Sequence, residues 1–157
     1  MRCTHLLPCF VALLLTPLSA ALPLRSGEPH WIRLDSTHFS VLTDVDQEKG
    51  HEVLARFEQM RALFGQLLMK SRVNMPQPIE IIAFKTAEEY EKVAPSRAGQ
   101  GLGAGFYLPG EGREYFVLNL AQEESWRAIS YNFACVFLNY NYPPAQPWYD
   151  EGFAEYF

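Results

Sequence analysis

Residues 46–70 read DQEKGHEVLARFEQMRALFGQLLMK, and residues 79–84 read IEIIAF. In the longer stretch, apolar residues recur every three or four positions, as they do on one face of a helix. The shorter stretch is a nearly continuous apolar run, which is typical of a buried strand. Together they predict a long amphipathic helix docked on a sheet, with Asp44 or Asp46 as the residue that caps the helix.

The flanking segments add strands and helices in an order that predicts an α+β domain with a mixed sheet. Two short strands of alternating polarity are predicted over 31–34 and 38–43, and a short helix runs from a Thr86 cap to Val93. A loop rich in Gly, Ala and Ser follows it. The remaining predicted elements are strands over 105–108 and 114–120 and helices over 122–139 and 148–157.

Composition limits the kind of protein this is. The chain has 157 residues, of which 48% are hydrophobic and 20% charged, a balance that supports one domain with a real core. The net charge is -5, and Lys and Arg form no dense run. Nucleic acid is therefore not an expected partner.

The first twenty residues are typical of a secretory signal peptide. Arg2 supplies a positive start, residues 6–18 are almost wholly apolar, and small residues follow at 19–21. Residues 21–29 are expected to be a linker and 30–157 the domain, with a secreted or periplasmic location and no membrane span after cleavage. An uncleaved membrane anchor is the alternative. Cleavage would leave Cys135 as the one cysteine of the mature chain, so no internal disulfide is expected.

Two stretches carry a resemblance to a known family. They are WIRLDSTHFSVLTD with the helix that follows it, and the terminal SYNFACVFLNYNYPPAQPWYDEGFAEYF. The chain resembles the bacterial peptidase MA-like family, a group of predicted gluzincin zinc metallopeptidases. The resemblance implies a zincin-like catalytic lobe with a long N-terminal helix and a C-terminal helix pair of active-site type. Family members generally continue further, so 30–157 is expected to be truncated at its C-terminus.

The resemblance also identifies positions where the zinc chemistry should reside. In a gluzincin, one helix carries His-Glu-x-x-His and a later helix supplies a third ligand, a Glu. Aligned by the Leu-Asn that follows that motif, the positions of this chain are Tyr131 for the first His, Asn132 for the catalytic Glu and Cys135 for the second His. The third-ligand position matches at Glu151, and Glu155 matches an acidic position that supports it.

These replacements remove the means of holding and using zinc. Tyrosine has a reference pKa near 10 and ligates poorly at neutral pH, and an asparagine cannot accept a proton from water as a general base does. All three histidines beyond the predicted signal peptide lie between residues 30 and 51. The sequence therefore predicts no catalytic residue and no cofactor, and the candidate site reduces to Glu151, with Glu155 beside it.

Other interpretations of the same residues stay open. Cys135 and Glu151 could form an altered metal site, or Cys135 could act as a nucleophile, although no histidine is placed as its base. Alternatively, Tyr131 and Cys135 are ordinary helix residues, and Glu151 and Glu155 favour a helix N-terminus that Asp150 caps. The glycines at 99–105 do not form a phosphate loop, because the Lys-Ser/Thr ending is absent.

The expected partner is a peptide or protein, at the cleft or at the aromatic C-terminus. The aromatic residues of that end are predicted mainly to pack against the 122–139 helix, and an exposed remainder would mark a binding surface; they are Tyr140, Tyr142, Trp148, Tyr149, Phe153, Tyr156 and Phe157. If the ancestral chemistry survives, the resemblance implies a substrate laid along a sheet edge near 114–120.

Three functions follow from these observations. The first is an exported, non-catalytic metallopeptidase-like domain. The second is an active zinc peptidase with unconventional ligands. The third is a fragment of a longer peptidase-like protein with no function of its own.

Overall fold

In the computed structural model of this protein, the apolar stretches of the chain form strands and helices. The structure describes residues 30–68, 72–95, 103–142 and 147–156, apart from the side chain of Asp150. The predicted signal peptide, the linker and Phe157 lie outside these residues. The elements are β1 (Ile32–Asp35), β2 (Phe39–Thr43), α1 (Gln47–Leu67), β3 (Ile79–Phe84), α2 (Ala87–Glu91), β4 (Gly105–Pro109), β5 (Glu114–Asn119), α3 (Glu124–Asn141) and α4 (Pro147–Tyr156).

The described strands form one mixed sheet in the order β1-β2-β3-β5-β4. The central pairs β2–β3 and β3–β5 are parallel, whereas β1 and β4 pair antiparallel at the two edges. The predicted α+β class with a mixed sheet is confirmed. The predicted sheet edge at 114–120 is wrong, because β5 is paired on both sides, and the edge strand on that side of the sheet is β4.

The helices α1 and α3 cover one face of the sheet, and the main core lies between these helices and the sheet. Phe57 and Phe64 of α1 meet Phe133 of α3 with ring centroids 5.9 Å apart in both pairs. Gly50 lets α1 approach β1, since an added Cβ would lie 2.5 Å from Cδ1 of Leu34. The opposite face carries a smaller cluster around Phe84, Tyr90 and Val117.

The predicted helix caps Asp46 and Thr86 are present, whereas the predicted cap Asp150 is wrong, because that residue lies inside α4, which begins at Pro147. The Asp46 carboxylate accepts a hydrogen bond from the Lys49 N–H at 2.9 Å, and the Thr86 hydroxyl accepts from the Glu89 N–H at 3.4 Å. These bonds satisfy amide groups that have no partner inside the helix. The α1 helix ends at Leu67, earlier than the predicted 70, and its C-cap N–H bonds back to carbonyls of the last turn.

Glu58 on α1 ties the turn between β1 and β2 to the helix. Its Oε1 accepts from the Ser36 hydroxyl and the His38 N–H, both at 2.8 Å, and its Oε2 lies 2.7 Å from His38 Nδ1. Burial raises the pKa of Glu58, but the hydrogen bonds from His38 and Ser36 and the charge of His38 outweigh burial and lower it. The folded state therefore favours the ionised carboxylate.

We expect Glu58→Gln to destabilise the protein at neutral pH but not in acid. A lowered folded-state pKa contributes stability above the unfolded value, near 4.3, and that stability is lost as the pH falls through the folded pKa. The expected loss at pH 7 is about 1 kcal/mol, measured by urea unfolding, and it should shrink steadily in acid. Glu52→Gln is the control, because Glu52 is an exposed partner of Lys49 whose loss should cost under about 1 kcal/mol. A loss for Glu58→Gln that is equal in acid and at pH 7 would contradict this assignment.

Candidate functional site

The α3 helix presents two different faces. Ile129, Phe133 and Phe137 are fully buried and point into the main core. Tyr131 is 37% exposed and Cys135 is half-buried, on the side of α3 that meets α4. The α4 helix docks there through the buried Ala154 and through Phe153, whose ring lies 5.9 Å from that of Phe64.

Four of the five predicted site residues come together between α3 and α4. The charge on Cys135 raises the pKa of Tyr131, and burial, a hydrogen bond with Cys135 and the carboxylates of Glu151 and Glu155 raise it further. Tyr131 and Cys135 are one helical turn apart, as are Glu151 and Glu155, so each pair shares a helix face. The Tyr131 phenol therefore stays neutral at physiological pH.

Asn132 is placed differently from these four. Its Nδ2 donates a hydrogen bond to the Ala128 carbonyl at 2.7 Å, so the amide is partly engaged by its own helix. The side chain is half-buried and lines the two largest cavities described below. An amide in this position can hold a polar ligand group but cannot act as a base.

The residues present do not fit a zinc ion. Within the described part of the chain, no three or more His, Cys, Asp and Glu side chains are grouped so as to hold a metal. Two of the described histidines form hydrogen bonds with side chains of α1: His38 with Glu58, and His51 with Gln47 at 3.4 Å. Zinc catalysis needs about three protein ligands and an activated water, and the cluster offers a thiol and carboxylates beside a neutral phenol.

A cleft lies between α3 and α4 at the start of β4; we call it the polar cleft. Its volume is about 630 Å³. Charged and polar side chains line it together with Ala104, Ala128 and Ala154. The lining side chains that carry polar groups are Glu124, Arg127, Tyr131, Asn132 and Glu155.

A second cavity, of about 730 Å³, lies on the opposite face of the sheet beside β4; we call it the apolar cavity. Val93, Pro95 and Gly103 border it where the chain approaches β4. Among the described residues, no charged side chain lines it; Tyr107 and Asn132 are its polar lining residues, and Asn132 is the residue that it shares with the polar cleft. The apolar lining comes mainly from Ile82, Phe84, Phe106, Leu108 and Val117.

The outer edge of β4 has no neighbouring strand among the described residues, and it lies next to both cavities. The Asn119 N–H donates to the Ala104 carbonyl at 2.9 Å. Bonding alternates along an antiparallel ladder, so the N–H and C=O of Gly105 and Tyr107 point away from β5. Gly105 also allows α3 close to the strand, since an added Cβ would lie 2.9 Å from Ile129 Cδ1.

The aromatic residues of α4 divide into packed and exposed groups. Phe153 packs on the core as predicted. Trp148, Tyr149 and Tyr156 are 72%, 45% and 83% exposed, so the prediction that most of this group packs against α3 is wrong for these three. A ten-residue helix that docks through one narrow stripe leaves its other faces to solvent. The Asp150 side chain and Phe157 lie outside the described residues.

A buried polar cluster at the far end of β4 was not predicted. Glu114, 3% exposed, accepts hydrogen bonds at Oε1 from the hydroxyls of Tyr107 (2.9 Å) and Tyr140, and its Oε2 has no partner within the described residues. Burial, and to a smaller extent the hydrogen bond with Glu114, raises the pKa of Tyr107. For Tyr140 the hydrogen bond with Glu114 is the larger cause and burial the smaller, and together they raise its pKa to about 12. Nothing in the local sequence marks Glu114 as buried, because its partners are distant in the chain.

Tyr142 completes the connections at the C-terminal end of α3. Its hydroxyl donates to the Leu68 carbonyl at 2.6 Å, which ties the end of α3 to the end of α1. Asn141 and Asn74 add a pair of side-chain to backbone bonds nearby. Tyr140 and Tyr142 therefore hold elements together rather than line the polar cleft.

No family model, curated protein or solved structure matches the chain. In the described part of the chain, no helix is both long enough and apolar enough to cross a membrane.

Proposed function

We propose that residues 30–157 form a zincin-like lobe of the gluzincin type that binds an extended peptide and does not hydrolyse it. The peptide lies along the free edge of β4, over the polar cleft between α3 and α4. The domain is exported, with residues 1–20 as its signal peptide and a secreted or periplasmic destination.

The observation that carries this proposal is the clustering of Tyr131, Cys135, Glu151 and Glu155 between two helices. Glu151 and Glu155, which the resemblance assigns to the same site as Tyr131, follow it by 20 and 24 positions in the sequence and lie within its electrostatic reach. Tyr131 and Cys135 stand at the two histidine positions and Asn132 at the general-base position, so the pocket lacks the zinc-held water of a gluzincin but keeps polar groups that can bind a peptide. The unpaired Gly105 and Tyr107 amides beside it are the groups that an added strand requires.

The test measures metal and binding on the same purified chain. After loading with zinc and desalting, mass spectrometry should find no zinc retained by the folded protein. A library of short peptides should contain binders that remain intact during incubation. Zinc-dependent hydrolysis that a chelator abolishes would overturn the proposal, as would a folded chain that binds no peptide.

A second function, an active zinc peptidase with unconventional ligands, has one observation in its favour. The Tyr131 phenol lies within electrostatic reach of the Cys135 thiol and of the carboxylates of Glu151 and Glu155, and thiolate and carboxylate are both zinc ligands. Retention of about one zinc per chain, lost in Glu151→Ala, would support it. Metal content that is the same in Glu151→Ala as in the parent would exclude it.

A further inference from the structure

The outer edge of β4 lies between two cavities with different linings: no charged side chain of the described residues lines the apolar cavity, whereas Glu124, Arg127 and Glu155 line the polar cleft. Gly103 borders the apolar cavity and the next residue, Ala104, borders the polar cleft. Asn132 lines both, so the two cavities meet at the edge of the strand. Along β4 itself, Phe106, Tyr107 and Leu108 border the apolar cavity, and the Tyr107 side chain also packs with the main core, where its hydroxyl donates to Glu114.

A strand added at this edge would present its side chains to both cavities in turn. Successive side chains of a strand point to opposite faces of the sheet. The Gly105 and Tyr107 amides hold such a strand in the plane of the sheet. Every second side chain then reaches the apolar cavity, and the side chains between them reach the polar cleft.

We infer that the ligand of this site is an extended peptide in which apolar and basic residues alternate. This inference rests on the peptide-binding function proposed above and specifies the class of peptide. The apolar positions follow from Ile82, Phe106, Leu108 and Val117, which line a cavity of about 730 Å³. Pockets of about 300–1,000 Å³ accommodate drug-sized ligands, so this cavity has room for apolar side chains of the peptide.

The basic positions follow from the charges around the polar cleft. Glu124 and Glu155 line it with Arg127 as the one lining cation. Glu151 lies close enough to influence the Tyr131 phenol. Two carboxylates and one guanidinium therefore line the cleft, with the Glu151 carboxylate nearby, and lysine or arginine side chains complement it better than acidic ones.

The same charges disfavour a second copy of this chain as the occupant. Pairing of two β4 edges would bring two acidic clefts together, and like charges across an interface are destabilising. Pro109 also lacks an N–H and shortens the edge available for pairing. A separate peptide with the opposite charge meets neither obstacle.

The experiment compares three capped, fluorescein-labelled hexapeptides by anisotropy with the purified full chain. Valine and lysine alternate in the first, the second has the same composition with three valines followed by three lysines, and valine and glutamate alternate in the third. Valine is used because it favours extended backbone. We expect the first to bind at least about tenfold more tightly than either of the others, with an affinity that falls as salt is added.

The outcomes of this experiment test the alternating peptide class and the proposed peptide-binding function separately. Equal binding of the first and second peptides overturns the alternation and leaves the peptide-binding function standing. Binding of none of the three overturns both. Dimerisation of the chain through β4 without peptide, detected by sedimentation and abolished by Tyr107→Pro, overturns the inference in favour of self-pairing.

Variants on each face test the two halves of the inference. Leu108 is 51% exposed and borders the apolar cavity. Leu108→Ser should weaken the binding of the alternating valine-lysine peptide several-fold, which corresponds to roughly 1 kcal/mol because each tenfold change in Kd is about 1.4 kcal/mol. Leu63→Ser is the matched control, because Leu63 is 44% exposed on α1 and lines neither cavity. Glu155→Gln should reduce the preference for lysine over glutamate without changing the melting temperature. An unchanged preference would overturn the charge argument.

Discussion

Phe133→Ala should cost about 3–5 kcal/mol of unfolding free energy, as large-to-small substitutions of buried aromatic residues do. Phe133 is fully buried, and its ring lies 5.8–6.0 Å from those of Phe39, Phe57, Phe64 and Phe116. Removing it leaves a cavity where β2, α1 and β5 meet α3. Part of the lost free energy comes from the aromatic contacts themselves, which stabilise the fold beyond the effect of the apolar area that they bury.

Urea unfolding of the parent and the variant measures this loss. Tyr131→Ala is the matched control, since it also truncates an aromatic residue on α3, two positions earlier and 37% exposed. The control should cost under about 1 kcal/mol, in the range of surface substitutions. If both variants lost the same stability, Phe133 would not be the centre of the core.

Replacing three residues should give this chain a zinc ion. In the triple variant Tyr131→His, Asn132→Glu and Cys135→His, two imidazoles lie one helical turn apart and face Glu151 across the cleft, with a carboxylate between them. That set supplies three ligands and a base. We expect the triple variant to retain about one zinc per chain after desalting, whereas the parent retains none.

The matched control is the same triple variant with Glu151→Ala added, which removes the third ligand and should lose the zinc. Mass spectrometry measures metal, and a thermal unfolding curve shows that each variant is folded. A folded triple variant that retained no zinc would mean that these positions do not converge as ligands. The resemblance to gluzincins would then fail at its most specific point.

Short-range patterns along the chain predicted most of the elements. The strand over 79–84 has the predicted bounds, and the caps Asp46 and Thr86 are where the residue types place them. These features depend on neighbours a few positions away, so the local sequence contains the information they need. The helix ends were less accurate, because the last turn depends on what the helix packs against.

The candidate site was predictable only in part. The shared face of Tyr131 and Cys135 follows from helical spacing, and their approach to Glu151 and Glu155 followed only from the resemblance. The edge position of β4 was missed, since pairing between β3 and β5 skips over β4 and creates the edge. A sequence pattern records which residues alternate but not which strand becomes a neighbour.

Exposure of the α4 aromatics and burial of Glu114 show the same limit. Trp148 is apolar enough to be buried, yet α4 meets α3 and α1 with a different face. Glu114 is charged in isolation, yet the hydroxyls of Tyr107 and Tyr140 allow it to be buried. Hydrophobicity and helical or strand periodicity therefore decided the elements of this chain. Packing between distant segments decided the sheet order, the two cavities at β4 and the cluster at α3 and α4, because burial and pairing energies depend on partners that only the folded chain brings together.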